Sequence, residues 1–97
     1  MDMSDERINR LQTWLKIDLG ISASTTTYDE RLNAYLNQAV EEIKREGADL
    51  LEETVGNDQI IVAYASWRWR TRDTQAGMPR ALRYSLNNLI MSQKAGG

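Results

Sequence analysis

Residues Ile60–Lys94 read IIVAYASWRWRTRDTQAGMPRALRYSLNNLIMSQK, and the spacing of their apolar side chains decides the fold. Ile60, Tyr64, Trp67 and Thr71 recur every three or four residues, which places them on one face of a helix. Val62, Ala65 and Trp69 form a second line on the opposite side. A helix that is apolar nearly all round for its first two turns must be covered by protein on more than one side. Two tryptophans on opposite faces cannot both enter one small core. Trp67, which continues the line of Ile60 and Tyr64, is therefore assigned to the core, and Trp69 to a partner or a peripheral helix. Arg68 and Arg72 share a third direction, and Arg70 points away from both.

The run TQAGM, residues 74–78, interrupts this helix, and Pro79 suits the first position of the next, where its missing N–H would be unpaired anyway. Leu82, Leu86, Leu89 and Ile90 then line one face of an amphipathic helix. Arg80, Arg83, Asn87 and Lys94 gather beside that stripe, with Tyr84 and Met91 just beyond. Two readings of this flank stand at the level of sequence: a solvated charged face, or a protein-docking face.

The pattern AYASWRWR followed by GMPRALRYSLNNLIMSQK resembles the C-terminal half of tailed-phage head-tail connector proteins, the small adaptor or head-completion subunits that attach below the portal ring. The size, the helix count and the hydrophobic central helix extend the resemblance over the whole chain. It implies a bacteriophage virion protein, present in host cytoplasm during assembly, whose copies form an oligomeric ring by themselves or when templated by the portal. Its implied partners are the portal protein and a downstream head-completion or tail protein. Genome DNA would pass through such a ring without sequence-specific contact. Many of these adaptors carry further residues after the last helix that help grip the portal. This sequence reads Lys94-Ala95-Gly96-Gly97 there, so the resemblance does not extend to a tail-mediated grip.

Ninety-seven residues make one domain, 1–97, too short to cover all of its apolar surface, and oligomerisation is a natural supplement. Cysteine and histidine are both absent, which removes disulfides, thiol catalysis, the commonest general base and nearly all zinc chemistry. No enzyme activity, cofactor or metal is expected. The N-terminus is charged from its second residue and contains no apolar run of signal-peptide length. No stretch approaches the roughly 20 apolar residues that span a bilayer, so the expectation is a protein made and kept in cytoplasm, without a membrane partner.

Charge is unevenly placed. Residues 1–59 hold thirteen acidic and six basic side chains, while residues 60–97 hold one acidic and six basic. Such a split invites head-to-tail contact between identical subunits, provided it survives as a split in space.

Ser4 is an N-cap with Asp5 and Glu6 behind it, and Ile8, Leu11, Trp14 and Leu15 line one face up to Gly20. Trp14 continues that stripe and is read as core. The loop ISASTTT, residues 21–27, contains no phosphate cradle. Thr27 and Glu30 have capping-box spacing, and Leu32, Leu36, Ala39, Val40, Ile43 and Gly47 form the stripe of a second helix. Between this helix and the next, Leu50, Leu51 and Val55 are the apolar anchors. The carboxylates Glu46, Asp49, Glu52, Glu53 and Asp58 lack the ligand spacing of a calcium loop and are read as a solvated loop. Asn57 or Gly56 is expected to cap the central helix.

No alternating strand pattern or hairpin signal appears. The fold expected is all-α, a single small domain of four helices near residues 4–18, 28–46, 58–73 and 79–94, with a central hydrophobic third helix. The candidate protein-interface residues are Arg68, Trp69, Arg72, Arg80, Arg83, Tyr84, Asn87, Met91 and Lys94. The alternative function is a small helix-turn-helix-like DNA-binding or regulatory protein. Arg68, Arg70 and Arg72 diverge around a helix with tryptophans between them, which fits one groove-facing surface poorly.

Overall fold

The computed structural model describes residues 3–96; the charged Asp2 and the final Gly97 lie outside the described residues. Four helices follow one another: α1 (Asp5–Leu19), α2 (Asp29–Glu46), α3 (Val55–Arg70) and α4 (Arg80–Gly96), with no strand among the described residues. The all-α, four-helix expectation is met. α3 packs against each of the other three, and α1 also packs on α2. With principal extents of 42 × 31 × 19 Å, the fold is only about two helix diameters thick in its shortest direction. Even the central helix therefore keeps a strip at the surface.

Local signals fix several ends. Ser4 accepts from the Arg7 amide at 3.2 Å and opens α1, and Gly20, at φ 73°, closes it in the left-handed conformation that glycine adopts without strain. Gly47 does the same for α2 at φ 109°. Leu11, Leu15, Leu32, Leu36, Ala39, Ile43, Leu82 and Leu86 are all buried, so the stripes read on α1, α2 and α4 do face the core. Trp14 is half-buried against it. At the far end Gln93 pins α4 to the backbone after α2, accepting from the Asp49 amide at 2.7 Å and donating to the Asp49 carbonyl at 2.6 Å.

Other expectations are corrected. α3 begins three residues early, at Val55, because Thr54 rather than Asn57 or Gly56 caps it, accepting from the Asn57 amide at 3.1 Å. It ends at Arg70 instead of near residue 73, and Thr71 folds its hydroxyl back onto the Trp67 carbonyl at 2.8 Å. The capping box of Thr27 and Glu30 does not form: Tyr28 occupies the cap position with no side-chain bond. Tertiary contacts displace it, since the Tyr28 ring meets Trp69 and the Asp29 carboxylate is drawn to the buried ammonium of Lys16 at 2.7 Å. Thr54→Ala should therefore cost about 1 kcal/mol in a denaturant titration, whereas Thr27→Ala should leave the midpoint unchanged. An equal loss from both would show that Thr27 does cap α2.

The two tryptophans are reversed from expectation. Trp69 is only 8% exposed and belongs to the core, held edge-on by Tyr28 and Tyr35 at ring separations of 5.7 and 5.3 Å. Trp67 is half-buried, its ring beside Tyr64 and its indole N–H donating to the Gly77 carbonyl at 3.1 Å. Both lines of α3 are apolar, and which is covered more deeply depends on where α2 and the α1–α2 loop lie.

Asp58 is not in a solvated loop. It is 3% exposed in the first turn of α3, and its Oδ1 accepts from Arg7 Nε at 3.1 Å and from a second Arg7 nitrogen at 2.9 Å, while Oδ2 accepts from Arg10 at 2.9 Å. Of the three apolar residues read as anchors of this connection, Leu50 is buried but Leu51 and Val55 are exposed.

Candidate docking surface

The outer face of α4 follows from its inner one. Leu82 and Leu86 are buried and Leu89 and Ile90 partly so, which turns Arg80, Tyr84, Asn87, Met91 and Lys94 to solvent. Tyr84 and Met91 are each 68% exposed. They stand seven residues, or about 10.5 Å, apart along the helix. Large apolar side chains exposed singly are ordinary, but a pair in register on one face, between two cations, forms a ridge. No ion pair holds Arg80 or Lys94 among the described residues.

Arg83 is different. It is half-buried and donates to Glu46 Oε1 at 2.7 Å, fastening α4 to α2. One turn earlier on α2, Glu42 accepts from Arg68 at 3.4 Å. Glu42 also acts on Tyr64: burial first, and then a hydrogen bond and the charge of Glu42, push the Tyr64 phenol well above its ordinary value. Arg68 lies over the Trp67 ring at 5.4 Å. Arg72 lies over Trp69 at 4.4 Å and donates to the Trp69 carbonyl, and Arg70 donates to the Asp18 carbonyl at 2.6 Å.

The nine candidate residues thus fall into two groups. Arg80, Tyr84, Asn87, Met91 and Lys94 share one exposed face, with Arg83 at its inner edge, whereas Arg68, Trp69 and Arg72 are engaged at the end of α3. Trp69 is enclosed by its own chain, which removes it from any exposed surface. The charge split is partly consumed inside the molecule too, since Arg68, Arg70 and Arg83 pair with Glu42, Asp18 and Glu46.

A hollow that the sequence did not announce runs along the uncovered strip of α3. About 590 Å³ of it lies between α3 and α4, over Gly56, Ile60 and Ala63 and against Ala81, Leu82 and Ser85. A shallower extension reaches Trp14, Ile17 and Asp18 of α1 across Ala63. Ile17, on that rim, is 74% exposed. A sequence signal existed in the small residues Gly56 and Ala63, seven apart in α3, but it gains meaning only once α1 and α4 are placed on either side.

Among the described residues no cluster of three or more acidic side chains is placed to hold a metal ion, and no helix is long and apolar enough to cross a membrane. Comparison of the chain with protein-family models, with curated proteins and with solved structures finds no match.

Proposed function

We propose that the chain is a structural adaptor of a tailed-phage virion, a subunit of an oligomeric ring that joins the portal to the tail or to the next head-completion protein. The observation that carries this reading is the outer face of α4, where Tyr84 and Met91 stand exposed in register between Arg80 and Lys94, cations without an ion-pair partner among the described residues. Tyrosine, methionine and arginine are enriched in protein interfaces, and a solvated flank has no use for a two-turn apolar ridge. The resemblance of the Ala63–Arg70 and Gly77–Lys94 segments to head-tail connector proteins supplies the setting. In this setting the protein needs no cofactor, metal or catalytic group, and it works in host cytoplasm and then in the virion. The runner-up, a helix-turn-helix-like DNA-binding protein, has less support, because Arg68, Arg70 and Arg72 are already engaged with Glu42, Asp18 and Trp69.

Arg80→Glu combined with Lys94→Glu tests the reading. Arg83 is left alone, since reversing it would set two carboxylates against each other at Glu46. The two changes act oppositely on the helix dipole, each by about 0.3–1 kcal/mol, so the melting temperature should barely move. Binding to portal-bearing heads and tail joining should be lost. If the double variant complements a phage lacking this chain as well as the unaltered protein does, this flank makes no head-tail contact and the reading fails.

A further inference from the structure

We infer that the hollow along α3 receives the α4 ridge of a second copy of this chain. The inference rests on α4's outer face being a docking face and names what that face meets.

The first argument is spacing. The ridge presents two large side chains, Tyr84 and Met91, seven residues apart. The strip of α3 beneath the hollow presents two small ones, Gly56 and Ala63, also seven apart and both exposed. A Cβ built at Gly56 would meet nothing closer than the Thr54 hydroxyl at 4.0 Å, so the floor there is open. Two turns of helix thus carry knobs on one surface and matching gaps on the other, which is how packed helices interdigitate.

Charge points to the same occupant. Arg80 precedes the first knob by one turn and Lys94 follows the second by about one turn, and neither has an ion-pair partner among the described residues. Glu52 stands exposed four residues before Gly56, in the connection that leads into α3, while Asp18, on the rim shared with α1, faces Arg70 of its own chain at 3.8 Å. Whichever way the incoming helix runs, one of its terminal cations reaches the Glu52 end. The apolar rim at Ile17 adds contact area that the isolated chain leaves wet. Ridge and hollow are different surfaces, so each docked pair retains one of each and addition continues, as a closed ring or an open filament.

The absence of cysteine makes the test clean, because introduced thiols have no competitors. Ala63→Cys and Met91→Cys both fall on exposed positions, and circular dichroism checks that each variant keeps its melting temperature. The two purified variants are mixed and treated with a short bis-maleimide, alongside a control mixture of Ala63→Cys with Glu30→Cys, an exposed site on α2. Heterodimer from Ala63→Cys with Met91→Cys should exceed the control at least tenfold, and adding Tyr84→Asp to the Met91→Cys chain should return it to the control level. Replacing Met91→Cys by Tyr84→Cys then reads the direction of the incoming helix. Cross-linking no better than the control, or dominated by Ala63→Cys homodimer, overturns the inference. The outcomes separate the two readings. Loss of head binding in the Arg80→Glu, Lys94→Glu variant without cross-linking means that the ridge docks on another protein. Cross-linking with intact complementation means that self-association stands and that the Arg80 and Lys94 flank takes no part in joining head to tail.

Discussion

Trp69→Ala is expected to destabilise the isolated chain by about 3–5 kcal/mol, a large share of the 5–15 kcal/mol that holds a typical domain together. The ring is enclosed by Tyr28 from the α1–α2 loop and Tyr35 from α2, with Arg72 stacked over it. Removing it leaves a cavity bounded by two aromatic edges and a helix end, which cannot collapse without moving the loop. Trp67→Ala should cost only about 1–2 kcal/mol, the contribution of a half-buried ring and one hydrogen bond. Guanidinium unfolding followed by circular dichroism ranks the two. A larger loss for Trp67→Ala would mean that the core lies on the Ile60 side of α3, as the sequence alone had indicated.

That reversal shows where sequence reasoning stops. Features set within a few residues were legible: Ser4 opening α1, Gly20 and Gly47 closing α1 and α2, and the leucine stripes of α1, α2 and α4. Each depends on backbone geometry or helical period alone. Features that depend on what lies opposite were not. Thr27 and Glu30 have capping-box spacing, yet the pull of Lys16 on Asp29 and of Trp69 on Tyr28 starts the helix elsewhere. Asp58 looked like one more loop carboxylate because nothing local marks it for burial; its partners lie 51 and 48 residues away.

The candidate surface divides in the same way. The α4 face was legible because period alone turns Arg80, Tyr84, Asn87, Met91 and Lys94 away from the leucines. The engagement of Arg68 and Arg83 was not, because it depends on α2 passing close enough for Glu42 and Glu46 to reach them. The hollow needs three helices at once.

The largest electrostatic effect is expected at Asp58. Its carboxylate is buried with the Arg7 guanidinium, which is 5% exposed, and among the described residues Arg7 has only the Leu51 carbonyl, at 3.4 Å, as a further acceptor. Asp58→Ala would leave that cation enclosed without a counter-charge and should cost about 3–5 kcal/mol. It would also remove an acid from the first turn of α3, where the helix dipole favours one. Arg10 reaches the same carboxylate from the rim and can turn to water when it is lost, so Arg10→Ala should cost far less than Asp58→Ala. The decisive variant removes both buried charges, Arg7→Met with Asp58→Leu. If the penalty at Asp58→Ala is the stranded cation, the double variant should recover most of the lost stability in urea unfolding, because a well-packed apolar pair commonly matches a buried ion pair. A double variant as weak as Asp58→Ala would instead show that the Arg7–Asp58 geometry itself clips the start of α1 to the start of α3, and that no apolar contact replaces it.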